Sequence, residues 1–144
     1  MRRFGEPPLR EKTYTRRPGA YAILPMGKKL LLTHQSDPDP EFQLPGGGID
    51  PGESPLQALH REVLEETGWR ISDARRLGVF KRYVFMPEYD LWAEKICNIY
   101  LAFPTYRVSQ PTEEMHSVHF IDPTEALDLL ENPGDISFLR RVLS

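Results

Sequence analysis

The sequence predicts an α+β fold in which a central mixed β-sheet is flanked by helices. Three observations predict it. Short runs rich in Val, Ile, Tyr and Phe recur along the chain and read as strands. Residues 54–67 carry helical periodicity with a start and a stop signal. Strands and helices are mixed without regular βαβ alternation, which favours a mixed sheet over a parallel one. With 144 residues and no internal repeat or dividing linker, the chain reads as one domain over residues 18–144 behind a polar segment, residues 1–17.

The elements follow in order. Residues 1–17 are polar and read as a mobile or edge segment. Residues 19–25 and 29–34 are apolar runs separated by Met26-Gly27-Lys28, the pattern of a hairpin. Residues 37–40 hold two prolines, which exclude helix and central strand, so they form a loop. Residues 42–44 are briefly extended and end at Pro45-Gly46-Gly47-Gly48. Beyond the helix, residues 75–85 and 94–103 read as longer strands and 118–121 as a last short one. Residues 123–131 and 135–143 close the chain as helices.

Composition narrows the function. Hydrophobic residues at 40% and charged residues at 27% suit a globular domain with one real core. No apolar run is long enough to span a bilayer, and the start lacks the apolar stretch of a secretory signal. The single cysteine, Cys97, cannot form an internal disulfide, and a cytoplasmic location is expected. It lies in an apolar run and reads as a buried, inert thiol. The net charge of −3 argues against general nucleic-acid binding. Basic residues still crowd the first segment. A solvated arm is one reading; the other has Arg16 or Arg17, beside the first strand, reaching a substrate phosphate.

Chemistry concentrates in the helix. Ser54 is a good N-cap, Pro55 suits the first helical position, Gln57 completes a capping box and Gly68 suits a left-handed C-terminal cap. At 100° per residue, Leu56, Leu59 and Val63 share an arc expected to face the core. Glu62, Glu65 and Glu66 share a neighbouring arc at i+3 and i+4 spacing, where like charges repel. They also lie toward the helix C-terminus, where the dipole disfavours negative charge. A solvated acidic face offset by Arg61 and His60 is one account. A bound Mg²⁺ or Mn²⁺ is the other, and the adjoining glycines favour it, since they permit close backbone approach to a ligand.

Residues 47–69 resemble the signature of the Nudix hydrolase family, GX5EX7REUXEEXGU, with U a bulky apolar residue. The sequence supplies Gly47, Glu53, Arg61, Glu62, Val63, Glu65, Glu66, Gly68 and Trp69 in register, and only Trp69 departs from the usual aliphatic choice. The fixed identities would coincide by chance on the order of 10⁻⁸ per window at typical residue usage. The resemblance implies the family's MutT-like α/β/α sandwich and a metal-dependent phosphoanhydride hydrolase. It implies that Glu62, Glu65 and Glu66 hold the metal with the backbone of Gly46 or Gly47. Glu53 and Arg61 then form a supporting pair. A loop carboxylate after the box, Glu113 or slightly preferred Glu114, is implied as a ligand or base. Glu65 and Glu114 both qualify to take the proton from water.

The expected substrate is a small nucleotide, a nucleoside diphosphate linked to another moiety. Phe42 suits stacking on a base, with core packing as the alternative. Tyr83, with Phe85 and Tyr89, suits a base-binding wall or strand cover, and Lys81 and Arg82 suit phosphate or solvent. A non-catalytic nucleotide-sensing or protein-interaction module on the same fold is a second reading, which the intact carboxylates oppose. Hydrolysis at an RNA 5′ end is a third. The apolar strands leave room for a homodimer, with no legible seam.

Overall fold

The computed structural model describes residues 1–37 and 39–144; Pro38, in the predicted loop 37–40, lies outside the described residues. The chain runs β1 (Arg2–Arg3), β2 (Thr15–Ile23), β3 (Pro25–Met26), β4 (Lys29–Gln35), β5 (Glu41–Gln43), β6 (Gly46–Gly48), α1 (Pro55–Thr67), β7 (Trp69–Met86), β8 (Leu91–Arg107), β9 (His116–Ile121), α2 (Pro123–Leu129) and α3 (Pro133–Leu143). A mixed five-stranded sheet has the order β1-β7-β8-β2-β6. β2 lies parallel to β8 from Thr15↔Ala93 to Ile23↔Leu101, and β1 lies parallel to the edge of β7. In a second sheet, β4 pairs antiparallel with β3, β5 and β9.

Alternation along β2, β4 and β8 divides the core in two. Ala20, Ala22, Leu24, Leu31, Tyr100 and Ala102 pack on one side with Leu59 and Val63 of α1. Ile23, Leu30, Leu32, Cys97 and Ile99 pack on the other with Ala126 of α2 and Phe138 and Leu139 of α3. Helices therefore cover both faces of the main sheet, as the sequence predicts. No helix among the described residues is long and apolar enough to cross a membrane.

Three local outcomes differ from the sequence reading. The predicted hairpin over 19–34 is confined to Pro25↔Leu30 and Met26↔Lys29. The preceding strand belongs to the other sheet, so the chain changes sheets at Leu24, whose carbonyl accepts from the Leu31 amide at 2.9 Å. β7 begins at Trp69, six residues before the expected start at Arg75. Its early residues are mostly exposed and charged, and antiparallel pairing with β8, interrupted by register shifts, makes them a strand. Leu56, expected in the core, is 42% exposed because the first turn of α1 offers only Ala58 and Leu59 to the sheet.

Candidate active site

Local chemistry fixes both ends of α1. The Ser54 hydroxyl accepts from the Gln57 amide and the Gln57 side chain accepts from the Ser54 amide, a complete capping box. Gly68 closes the helix at φ 78, a left-handed conformation that favours glycine. Its carbonyl accepts from the Val108 amide at 2.7 Å, and a β-carbon there would strike the Ser109 carbonyl. The following loop docks on the same helix end. The Thr112 amide donates to the Glu65 carbonyl at 2.8 Å, and the Glu113 amide does so at 3.3 Å.

That docking brings Glu113 to the acidic face of α1. One carboxylate oxygen each from Glu62, Glu65 and Glu113 lie within 4.8 Å of one another. Half-buried carboxylates this close repel strongly, and a hard divalent cation with oxygen ligands is the chemistry that fits them. Burial pushes the Glu62 carboxyl above its usual value, opposed by Arg61. β6 supplies the opposite wall. Gly47 lies against the Glu62 carboxylate, which occupies the space a β-carbon would need. Gly46 has φ 146 and sits on the Ala20 carbonyl, so only glycine lets β6 close on β2 at this point.

Glu66 is buried beside this cluster and joins α1 to β6 and β9. Its Oε1 accepts from the Gly46 amide at 3.0 Å and its Oε2 lies 3.2 Å from His116 Nε2. Burial pushes its carboxyl well above the usual range, while the Gly46 amide pulls it down. Burial likewise lowers the His116 imidazole, and its Nδ1 has no hydrogen-bond partner among the described residues.

Arg61 is the hub. Its Nε and one terminal nitrogen hold both Glu53 oxygens at 2.7 and 2.8 Å, a bidentate pair. The same guanidinium donates to the Gly48 carbonyl at 3.0 Å, to Glu62 at 2.8 Å and to Glu65 at 3.3 Å. Glu53 also accepts from the Asp50 amide at 2.9 Å. The Arg61 hydrogen bonds, and then that amide, hold the Glu53 carboxyl down at about 2. One cation thus ties the glycine loop to the helix.

These walls open into a cleft of about 370 Å³. Beyond Glu62, Glu66 and Glu113 it is lined by Tyr21 and Arg17 of β2, Lys95 of β8, Arg82 of β7 and Asp135 of α3.

The model of the NUDIX domain matches residues 14–142. The chain belongs to the Nudix family. A Bacillus subtilis (strain 168) relative named "Putative 8-oxo-dGTP diphosphatase" is 41% identical over 75 residues, 51% of this chain and 50% of that protein. A Helicobacter pylori (strain ATCC 700392 / 26695) RNA pyrophosphohydrolase is 44% identical over 57 residues, 36% of this chain and 37% of that protein. The chain therefore spans half or less of these curated relatives' lengths. The MutT protein of Bacillus halodurans superposes with a TM-score of 0.73 at 22% identity, over 88% of this chain and 82% of that one. That likeness agrees with the Nudix sandwich.

In this Nudix domain the structure brings Gly47, Glu53, Arg61, Glu62, Glu65 and Glu66 together as described. Of the two loop carboxylates, Glu113 joins the cluster and Glu114, slightly preferred from sequence, is exposed outside it. Arg82 lines the cleft, whereas Arg16, Phe42 and Tyr83 do not. Arg16 Nε donates to Glu94 at 3.0 Å and the Tyr83 hydroxyl donates to the same carboxylate at 2.9 Å. Strand alternation turns all three away from Arg17, Lys95 and Arg82. Phe42 packs against the core, edge-on to His34 and His119 at 4.7 and 5.4 Å. His116, Lys95 and Asp135 had no sequence signal as site residues, since each reaches the cleft from a different element.

Proposed function

We propose that this Nudix domain is a metal-dependent hydrolase of a phosphoanhydride bond in a nucleoside diphosphate linked to another moiety. The products are a nucleoside monophosphate and the other moiety carrying the second phosphate. The observation that carries this reading is the cluster of Glu62, Glu65 and Glu113 oxygens, of which Glu62 and Glu113 line a nucleotide-sized cleft. The relatives' names, a diphosphatase and an RNA pyrophosphohydrolase, support the same bond.

Glu62, Glu65 and Glu113 would hold Mg²⁺ or Mn²⁺, with Glu66 and the Gly47 backbone beside them, and the bound ion supplies charge neutralisation on phosphoryl oxygens and a more acidic water. Arg61 keeps Glu62 and Glu65 aimed at one point and fixes the glycine loop through Glu53 and Gly48. Glu66 holds Gly46 in place through its amide. A carboxylate oxygen of Glu113 not engaged with the ion would accept the proton of the attacking water. Cys97 takes no part; burial pushes its thiol up to about 12.

The test is release of monophosphate products with Mg²⁺ present or chelated, across nucleoside diphosphate sugars, dinucleoside polyphosphates, nucleoside triphosphates and 5′-triphosphorylated RNA. Turnover that requires the metal and is lost in Glu65→Gln is expected. A folded protein that binds nucleotide but turns over none of these would instead be a sensing module.

A further inference from the structure

A second concentration of charge lies in the same cleft, away from the carboxylates. The register of the main sheet sets Arg17 of β2 opposite Lys95 of β8, and Lys95 opposite Arg82 of β7. Directly paired residues point to the same face of a sheet, so three cations form a row across three adjacent strands. All three line the cleft and all three are half-buried. Among the described residues none has a carboxylate within 4.0 Å, although the next residues along, Arg16 and Glu94, pair on the other face. Like charges set directly opposite one another destabilise a sheet. Stability alone therefore gives no reason for the row.

We propose that Arg17, Lys95 and Arg82 form an anion-binding row that holds a phosphate group of the substrate outside the diphosphate engaged by the Glu62–Glu65–Glu113 face. This deepens the hydrolase reading and rests on it for the word substrate. It selects, within the broad nucleotide class, molecules bearing a further phosphate over those whose second moiety is an uncharged sugar. Two guanidinium groups flanking one ammonium offer directed donors to a phosphate, and partial burial strengthens each contact relative to water. The nearby counter-charges do not cancel the row. Asp135 is the carboxylate whose titration Arg82 and Lys95 most directly affect, yet burial pushes it up to about 7, so it is only partly ionised at neutral pH. Glu41 is a further carboxylate in the cleft. At the mouth, the Arg17 guanidinium lies 4.7 Å from the centre of the Tyr89 ring, which holds it at the row's end.

The first experiment needs no metal. Tripolyphosphate is titrated calorimetrically into the protein in the presence of a chelator. Lys95→Gln and Arg82→Gln are each expected to weaken binding about tenfold, the scale of one charge-assisted hydrogen bond. Lys95→Arg is expected to retain binding, which separates lost charge from a disturbed fold. Lys81→Gln, one position from Arg82 and facing the other side of the sheet, is expected to leave it unchanged. The second experiment measures KM with Mg²⁺ for ATP, for a 5′-diphosphorylated dinucleotide and for ADP-glucose. Lys95→Gln should raise KM relative to ADP-glucose for whichever of the first two presents its extra phosphate to the row. A rise with ATP names a terminal phosphate, and a rise with the dinucleotide names a phosphodiester. Equal tripolyphosphate affinity in wild type, Lys95→Gln and Arg82→Gln overturns the row whatever the turnover, as does an equal change of KM for all three substrates. Weakened tripolyphosphate binding with no turnover by the wild type supports the row and sinks the hydrolase reading alone.

Discussion

Replacing Asp135 with asparagine should flatten the dependence of stability on pH. Asp135 sits in the first turn of α3 with 7% of its surface exposed. Burial raises its carboxyl from 3.8 to about 7, against the pull of Arg82 and Lys95. The shift is about 3 pH units, and at roughly 1.36 kcal/mol per unit it corresponds to at most about 4 kcal/mol. The sign follows from proton binding. Between 3.8 and about 7 the folded protein holds a proton that the unfolded chain has released. The contribution of this group is therefore intact below 3.8 and is lost as pH rises through about 7. Asparagine carries no such proton and still offers an acceptor oxygen at the same place.

Urea unfolding of wild type and Asp135→Asn, with a chelator present, measures the effect as the difference in unfolding free energy between about pH 4 and about pH 8. Taking the difference between the two proteins cancels the other titrating groups. The variant should gain on the wild type by up to about 4 kcal/mol as pH rises across that window. A difference that does not change with pH would refute the reasoning. Such a flat result would mean that Arg82 and Lys95 hold Asp135 ionised throughout the window, and that the row spends its charge on this carboxylate.

Three further outcomes follow from the site. Arg61→Ala should lower kcat/KM at least about tenfold, and Arg61→Lys should not restore it, because an ammonium cannot hold Glu53 bidentately; steady-state kinetics over a Mg²⁺ series checks both. Glu113→Gln should reduce kcat by about a hundredfold, the scale of a lost general base, while Glu114→Gln leaves it near wild type; the reverse order would move the base to Glu114. Gly47→Ala should displace the Glu62 carboxylate and weaken Mg²⁺ about tenfold, read from the metal concentration at half-maximal rate.

Much of the frame was legible because its signals are local. The caps of α1 and the spacing of its glutamates depend on residues within one short stretch, the Glu53–Arg61 pair is what the family resemblance implied, and each appears where it was expected. What stayed hidden depends on pairing between distant strands. Nothing in the sequence distinguishes Arg16 from Arg17 until β2 is set beside β8, and then alternation sends one to Glu94 and the other to the cleft. Glu113 and Glu114 differ only in how the loop docks on the end of α1. The early half of β7 carries too many exposed charges to show a strand pattern, and only its partner β8 makes it one.

The cleft also holds a conflict that neither end resolves alone. Three carboxylates gather late in α1 and its docked loop, and three cations gather across β2, β8 and β7. A chain shaped only for stability would bring opposite charges together, as Arg16 and Glu94 are brought together on the other face. Here no ion pair joins the two groups among the described residues, although Glu62 and Glu113 line the same cavity as the three cations. Arg61 answers Glu62 and Glu65 in part, and repulsion remains at Glu113 and along the cation row. A polyanionic ligand carried with a divalent cation relieves both. Its phosphates would answer the cations directly, and Glu62, Glu65 and Glu113 would hold the cation that neutralises their own charge. The same ligand stabilises the folded state by mass action. Tripolyphosphate and Mg²⁺ together should therefore raise the thermal midpoint by more than the sum of their separate effects. Simple additivity would mean that the two ends of the cleft serve separate ligands.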